Sequence, residues 1–203
     1  MSYRDFDLKK VKQDLGVKLV EKQALFSEIK NIEISPFLLE TLQENVPLAR
    51  AINTEKARSE LIIANILVEI RKILKHQISL FSGIEFNVDK EKGLNGFCDF
   101  IISLSQQQLI LNHPVITIVE AKNENIISGL GQCIAEMVAA DIFNHQESDN
   151  LIKKIYGVVT TGTVWKFLEM EQRTVVIDLD EYSIEHPEKI IGILLEMLRR
   201  ENA

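Results

Sequence analysis

Residues 96–102 read Gly-Phe-Cys-Asp-Phe-Ile-Ile, and residues 115–122 read Val-Ile-Thr-Ile-Val-Glu-Ala-Lys. Both are short apolar runs, rich in β-branched and aromatic residues, of the kind that forms buried strands. Residues 129–137, which read Gly-Leu-Gly-Gln-Cys-Ile-Ala-Glu-Met, belong to a predicted helix over about 126–143. We therefore predict that two neighbouring strands and the helix that follows them form the centre of the fold.

The two strands are expected to pair as an antiparallel hairpin. Each carries charge only near one end, and residues 105–114 connect them. The midpoint of this connection is also the midpoint between Asp99 and Glu120, which places these residues opposite each other with Cβ atoms about 5 Å apart. Because side chains alternate along a strand, Glu120 and Lys122 project from the same face. Two carboxylates and an ammonium would thus converge at one edge of an apolar sheet.

A divalent metal ion would make this pair of carboxylates stable. Two like charges in close contact repel, and burial adds to the cost unless a cation neutralises them. Mg²⁺ prefers oxygen ligands and commonly uses one or two carboxylates together with substrate phosphates, and Mn²⁺ is the expected substitute. Lys122 beside the metal could hold a water, deprotonate it or stabilise a pentavalent phosphate. The alternatives are an Asp99 bonded to backbone amides and a simple Glu120–Lys122 ion pair.

Asp99, the Glu120-Ala121-Lys122 sequence and Gln132 on the following helix together resemble the PD-(D/E)xK nuclease superfamily. Residues 155–167 (Ile-Tyr-Gly-Val-Val-Thr-Thr-Gly-Thr-Val-Trp-Lys-Phe) are similar to the strand pair that closes the nuclease domain of type I restriction motor subunits. The resemblance covers roughly residues 56–182. It departs from the superfamily's pattern at Cys98, which stands where a proline often precedes the aspartate.

The resemblance implies a restriction-endonuclease-like α/β fold, in which helices flank a central mixed β-sheet. It also implies a Mg²⁺-dependent nuclease that hydrolyses DNA phosphodiester bonds, with Asp99 and Glu120 as metal ligands. Lys122 would then be a catalytic residue that activates water and stabilises the transition state. Gln132 would position the attacking water or a metal-bound water. The alternative for Gln132 is a helix residue that faces solvent.

A further carboxylate of the same site is expected from a long helix over about residues 55–77. Its apolar stripe is Ile63, Leu67, Ile70 and Leu74, and Glu60 lies at the N-terminal end of that stripe. The resemblance implies that Glu60 joins the metal site as a catalytic residue, because many members carry a helical glutamate there. The alternative is an exposed charge that reaches water or pairs with Lys56. Arg58 and Glu69 of this helix are predicted to be surface residues.

The remaining organisation follows from prolines, glycines and apolar patterns. Residues 1–55 are predicted to be a small helical N-terminal extension, whose role as a collar, a dimer contact or a specificity element stays open. Residues 56–203 are predicted to form the nuclease-like α/β core, ending in a helix opened by Pro187. Trp165 lies in a predicted β-meander and is expected in the core, with base stacking as the alternative.

Composition places the chain among soluble globular proteins. It has 203 residues, of which 46% are hydrophobic and 26% charged. No secretory signal pattern is present at the start, and no apolar run is expected to span a membrane, so a cytoplasmic protein is predicted. Cys98 and Cys133 are expected to be buried free thiols in a reducing compartment. The four histidines lack ligand spacing, and no zinc site is predicted.

The net charge of −7 argues against DNA binding, because DNA-binding surfaces are usually basic. A second hypothesis is therefore a non-catalytic nuclease-fold module that binds protein or nucleic acid in a larger assembly. The sequence has no Walker-type phosphate loop, so a nuclease that moves along duplex DNA would need a helicase or motor partner. A homodimer would provide paired sites for cutting both strands.

Overall fold

The computed structural model describes residues 1–146 and 152–200. Its core is a mixed β-sheet of eight strands, in the order β1-β7-β6-β5-β4-β3-β2, with β8 beside β6. The strands are β1 (Lys18–Lys22), β2 (Ser79–Glu85), β3 (Phe97–Ser103), β4 (Val115–Ala121), β5 (Lys154–Thr160), β6 (Val164–Glu171), β7 (Thr174–Asp178) and β8 (Tyr182–Ser183).

The helices are α1 (Leu8–Asp14), α2 (Pro36–Ile52), α3 (Glu55–Arg58), α4 (Ala64–Ile73), α5 (Ile126–Asn144) and α6 (Pro187–Arg200). A short 3₁₀ turn, Tyr3–Asp5, precedes α1, and a π-helical segment, Ser59–Ile63, joins α3 to α4. The fold is thus α/β, with a mixed sheet flanked by helices, as the sequence predicted at this level.

The sheet combines two parallel pairings with antiparallel ones. β4 pairs in parallel with β5, and β1 pairs in parallel with β7. All seven residues of β4 are buried, which explains why its sequence is apolar rather than alternating. The predicted N-terminal extension, residues 1–55, is partly built into the core, because its strand β1 forms one edge of the same sheet.

Helices cover the two faces of the sheet. On one face, buried side chains of α2, α4 and α6 share an apolar cluster with Phe100, Val158 and Trp165. Trp165 is fully buried, which confirms its predicted core position, and its Nε1 donates a hydrogen bond of 2.9 Å to the carbonyl oxygen of Gly162. On the other face, α5 packs on the sheet together with Tyr3 and Phe6.

The central helix α5 lies where the sequence predicted it, with one more residue at its C-terminal end. It has 19 residues and by length and composition alone could cross a membrane, but 72% of the apolar stretch is buried inside the protein. Its fourteen buried residues face the sheet and the N-terminal segment rather than solvent. This is the behaviour of a core helix, and it is weak evidence for a membrane span.

The predicted helix over residues 55–77 ends at Ile73 and consists of three consecutive segments, α3, a π-helical segment and α4. The π-helical segment Ser59–Ile63 has more residues per turn than an α-helix, so it rotates the side chains that follow relative to those that precede it. The prediction that Arg58 and Glu69 lie on the surface is wrong. Arg58 is 9% exposed and Glu69 is 5% exposed. Glu69 accepts a hydrogen bond of 3.0 Å from the backbone nitrogen of Ser35, which ties α4 to the start of α2.

Candidate active site

The predicted hairpin is present and its register fixes the candidate site. β3 and β4 are antiparallel, with Phe100 opposite Val119, so Asp99 and Glu120 are the next residues along this pairing. Oδ2 of Asp99 accepts a hydrogen bond of 2.8 Å from the backbone nitrogen of Ala121. The Asp99 carboxylate therefore continues the contact between β3 and β4 beyond their last paired residues, and it holds the Glu120-Ala121-Lys122 backbone against β3.

Glu120 is almost completely buried, with 1% of its surface exposed. Its Oε1 forms an ion pair with Nζ of Lys122, whereas its buried Oε2 has no hydrogen-bond partner among the described residues. Burial, and then the nearby charge of Asp99, raise the pKa of Glu120 to about 8, although Lys122 acts in the opposite direction. A buried carboxylate with one unsatisfied oxygen and a like-charged neighbour is an unfavourable arrangement that a bound cation would relieve.

Lys122 lies between the strand end and α5. Its Nζ contacts Glu120 and donates a hydrogen bond of 3.2 Å to Oε1 of Gln132. Burial alone would lower the pKa of Lys122, but the adjacent Glu120 carboxylate outweighs this effect and raises it. The Lys122 side chain is therefore a protonated ammonium fixed by two contacts. A protonated amine cannot accept a proton, so the predicted roles of holding a water or stabilising a phosphate are favoured over that of a general base.

Gln132 faces this cluster rather than solvent. It is 6% exposed, and its Nε2 donates a hydrogen bond of 3.1 Å to Oε1 of Glu136. Glu136 is fully buried, and burial, then the Glu120 carboxylate, raise its pKa well above the usual range. Glu120, Lys122, Gln132 and Glu136 form one chain of polar contacts from the strand end into the core.

Gly129 allows α5 to lie close to Lys122. A Cβ atom at this position would lie 2.7 Å from Cγ1 of Val159 and 3.0 Å from Cε of Lys122. The helix begins just before it, where the side chain of Asn125 accepts a hydrogen bond of 3.3 Å from the backbone nitrogen of Ser128. A residue larger than glycine would displace either the helix or the lysine.

The structure does not bring Glu60 into the site. Its side chain is 65% exposed, and its Oε1 lies 3.8 Å from Nζ of Lys56, which is the alternative that the sequence left open. The reason is the π-helical segment, which takes Glu60 out of line with the apolar stripe on which the expectation rested. Glu55, at the start of α3, is the helical carboxylate whose charge acts on both Glu120 and Lys122. In the sequence, Glu55 is simply the first residue of the predicted helix over residues 55–77.

The donor set fits a hard cation with few protein ligands. The cluster offers the Asp99 carboxylate and the unpaired Oε2 of Glu120. Among residues 1–146 and 152–200, no group of three or more His, Cys, Asp and Glu side chains could hold a metal ion. Mg²⁺ commonly needs only one or two carboxylates, because waters and substrate phosphates complete its coordination.

A comparison with models of known protein families found no match for this chain, and a search of curated proteins found none either.

Proposed function

We propose that this protein is a Mg²⁺-dependent nuclease of restriction-endonuclease-like fold that hydrolyses DNA phosphodiester bonds, with Mn²⁺ as a substitute ion. The observation that carries the proposal is the adjacency of Asp99 and Glu120 across β3 and β4, beside the ammonium of Lys122. Fold alone does not determine function, so the proposal rests on these side chains and their contacts.

Each residue of the cluster has a role that its contacts support. Asp99 and Glu120 would hold the ion, which when bound supplies Lewis-acid chemistry and a more acidic water. Lys122 provides a fixed positive charge near a phosphate oxygen that becomes more negative as hydrolysis proceeds. Gln132, through the hydrogen bond that its Oε1 accepts from Lys122, keeps this ammonium in place and offers an amide to orient water.

Metal binding is the first test. Addition of millimolar Mg²⁺ or Mn²⁺ should raise the Tm of the protein, because a ligand that binds only the folded state stabilises it. The increase should disappear in Asp99→Ala. Glu60→Ala is a matched control, since Glu60 is an exposed carboxylate outside the cluster, and this variant should respond to metal as the wild type does. Equal metal responses in all three proteins would overturn the metal site.

Activity is the second test. Purified protein with Mn²⁺ should nick plasmid DNA, and Lys122→Ala should abolish nicking while keeping its circular dichroism spectrum. Lys56→Ala removes a lysine that is 82% exposed and should leave nicking unchanged. Nicking by Lys122→Ala at the wild-type rate would point to a contaminating nuclease and would remove the catalytic role.

The second candidate is a non-catalytic nuclease-fold module. It is favoured by the exposed apolar side chains of α2, where Phe37 is 70%, Leu48 51% and Ile52 48% exposed. Exposed apolar surface of this kind is typical of protein-interaction sites. A protein that neither responds to metal nor nicks DNA, but that associates with itself or with a motor subunit, would support this candidate. A cytoplasmic location suits both candidates.

A further inference from the structure

The residues at the start of the chain carry positive charge and contact the elements that hold the candidate active site. Residues 1–14 contain four cations, Arg4, Lys9, Lys10 and Lys12, and three acidic residues, Asp5, Asp7 and Asp14, whereas the whole chain has a net charge of −7. Asp7 accepts hydrogen bonds from the backbone nitrogens of Lys9 and Lys10, at 2.9 and 2.8 Å. Asp5 accepts one of 2.7 Å from the backbone nitrogen of Ser2. Asp5 and Asp7 are therefore both hydrogen-bonded within residues 2–12, which we call the basic segment.

The basic segment contacts the helix that carries Gln132. A Cβ atom at Gly131 would lie 2.4 Å from Cα of Asp7 and 2.5 Å from the carbonyl oxygen of Phe6. Only a glycine permits this approach of two backbones, because any side chain would overlap the Phe6–Asp7 backbone. The segment thus lies against α5 at the residue that immediately precedes Gln132.

The same segment contacts the residues that lead into β3. The backbone nitrogen of Tyr3 donates a hydrogen bond of 3.1 Å to the carbonyl oxygen of Asn95, and the Tyr3 hydroxyl donates one of 2.7 Å to the carbonyl oxygen of Phe86. The buried ring of Tyr3 belongs to the apolar cluster that contains Cys98, the residue immediately before Asp99. The basic segment therefore bridges the elements that carry Asp99 and Gln132.

Three of its cations are available to a ligand. The side chains of Arg4, Lys9 and Lys12 are exposed and form no ion pair or hydrogen bond within the described parts of the chain. Lys10 differs, because its Nζ donates a hydrogen bond of 2.6 Å to the carbonyl oxygen of Asp5. Exposed cations beside a phosphodiester-cleaving site are suited to contact the phosphates of the strand that enters it.

Phe97 adds an aromatic surface to these charges. It is 61% exposed, starts the strand on which Asp99 lies, and shares a cavity of about 220 Å³ with residues of the basic segment. The cavity is lined by Ser2, Tyr3, Arg4, Asn95, Gly96 and Phe97. An exposed aromatic ring next to a free guanidinium can stack on an unpaired base while the cation contacts its phosphate. Bases in a duplex are already stacked and paired and do not offer this contact.

We infer that the basic segment and Phe97 form the binding track for an unpaired DNA strand that leads into the site. Arg4, Lys9 and Lys12 contact its phosphates, and Phe97 stacks on one of its bases. The inference rests on the proposed nuclease function and deepens it, because it names DNA with a single-stranded segment as the substrate class.

The charge contribution is tested by equilibrium binding in the absence of divalent metal, so that no strand is cut. The probe is a fluorescein-labelled single-stranded oligonucleotide of mixed sequence, observed by fluorescence anisotropy over a range of salt concentrations. The triple variant Arg4→Gln, Lys9→Gln, Lys12→Gln should bind at least about tenfold more weakly, and its log K should depend less on log salt, by a slope of about 2 for three lost phosphate contacts. The matched control is Lys30→Gln, Arg50→Gln, Lys75→Gln, which removes three exposed cations from segments that pack on the opposite face of the sheet and should bind as the wild type does.

The stacking contribution is tested by Phe97→Ala. This variant should bind the same strand about tenfold more weakly, since one base–aromatic stack contributes to that extent. Phe37→Ala removes another exposed phenylalanine, on α2, and should have no effect. With an abasic strand, Phe97→Ala and the wild type should bind equally, because no base is present to stack; a purely structural role of Phe97 would not produce this equality.

The outcomes separate this inference from the proposed function. Unchanged binding in the Arg4, Lys9, Lys12 variant, or equal losses in the two triple variants, would overturn the track and leave metal-dependent hydrolysis to be judged from Asp99→Ala and Lys122→Ala. Tighter binding of a blunt duplex than of the single strand by the wild type would also overturn it. Loss of binding in both the Arg4, Lys9, Lys12 and Phe97 variants, without any Lys122-dependent cleavage, would support the track and reject hydrolysis.

Discussion

Nζ of Lys122 donates a hydrogen bond of 3.2 Å to Oε1 of Gln132, and this contact joins the end of β4 to α5. Lys122 also forms an ion pair with Glu120 of β4, so contacts with both the strand and the helix fix the position of its ammonium. The amide of Gln132 is fixed in turn by Glu136, to which it donates a hydrogen bond of 3.1 Å. The position of the proposed catalytic cation therefore depends on the packing of α5 against the sheet.

Gly129→Ala should reduce both stability and activity. The added Cβ would approach Cγ1 of Val159 to 2.7 Å and Cε of Lys122 to 3.0 Å, so the helix or the lysine must move. Overpacking of this kind costs about 1–3 kcal/mol of unfolding free energy, measured by urea denaturation. Gly192→Ala is the control, because its Cβ would lie 2.7 Å from the carbonyl oxygen of Lys30, away from the site. Gly192→Ala should lose stability but keep its nicking rate per folded molecule. Equal nicking rates in the Gly129 and Gly192 variants would contradict the role of Gly129.

The stability of the metal-free protein should fall as pH rises from about 4.3 to about 8. The pKa of Glu120 is raised to about 8 by burial, then by Asp99, despite the opposing effect of Lys122. An unfolded glutamate releases its proton near pH 4.3, so in this window the folded state binds more protons and loses stability with rising pH. Urea midpoints at about pH 5.5 and about pH 8.5 measure the change.

Glu120→Gln should make this pH dependence smaller, with the remaining slope coming from Glu136, whose pKa is raised in the same direction by burial, then by Glu120. Mg²⁺ should bind more tightly as the pH rises, because a carboxylate must lose its proton before it can bind the metal. The gain in stability from millimolar Mg²⁺ should therefore be larger near the upper end of the window. A wild-type protein with the same urea midpoint across the window would contradict the raised pKa values.

Arg58→Met should destabilise the protein by about 1–3 kcal/mol, since it leaves buried acceptors without a donor. The guanidinium donates hydrogen bonds of 3.0 Å to the carbonyl oxygen of Thr161 and 3.0 Å to Oδ1 of Asn53. Asn53 in turn donates to Glu124, beyond the end of β4, at 3.3 Å. Thermal unfolding measures the effect, and Lys56→Met, at a lysine that is 82% exposed, should change Tm little. A Tm of Arg58→Met within the error of the wild type would refute a structural role.

Glu55→Gln should lower the pKa of Glu120, whereas Glu60→Gln should leave it unchanged. The negative charge of Glu55 contributes to the raised pKa of Glu120, whereas Glu60 is 65% exposed and lies 3.8 Å from Nζ of Lys56. The shift is expected to be small because Glu55 is exposed to solvent, which screens its charge. Carboxyl carbon chemical shifts followed by NMR over a pH titration measure it directly. A larger response to Glu60→Gln than to Glu55→Gln would return Glu60 to the site.

Much of the central unit could be predicted from the sequence because it depends on local patterns. The hairpin register of Asp99 and Glu120 followed from two apolar runs and the length of their connection, and the structure has this register. The helix that carries Gln132 was also predicted within one residue at either end. In both cases the signal lies within the residues of the element itself.

Other features could not be predicted, because distant contacts decide them. Glu60 would line up with the apolar stripe of the predicted helix only if that helix were α-helical throughout. Residues 59–63 are π-helical instead. A charged residue such as Arg58 is expected to be exposed, but it is buried because the carbonyl oxygen of Thr161, far along the chain, accepts its hydrogen bond. The helix α2 continues through Pro47 as one helix of 17 residues, although a proline inside a helix usually ends or kinks it.

The pairing of Lys18–Lys22 with Thr174–Asp178 joins strands from nearly opposite ends of the described chain. During synthesis β1 must wait until most of the polypeptide has left the ribosome before its partner exists. Once β7 has formed, β1 covers its outer edge, on which a strand of another molecule could otherwise align. Shortening residues 18–22 should therefore leave the outer edge of β7 unpaired in the folded protein and is expected to favour aggregation.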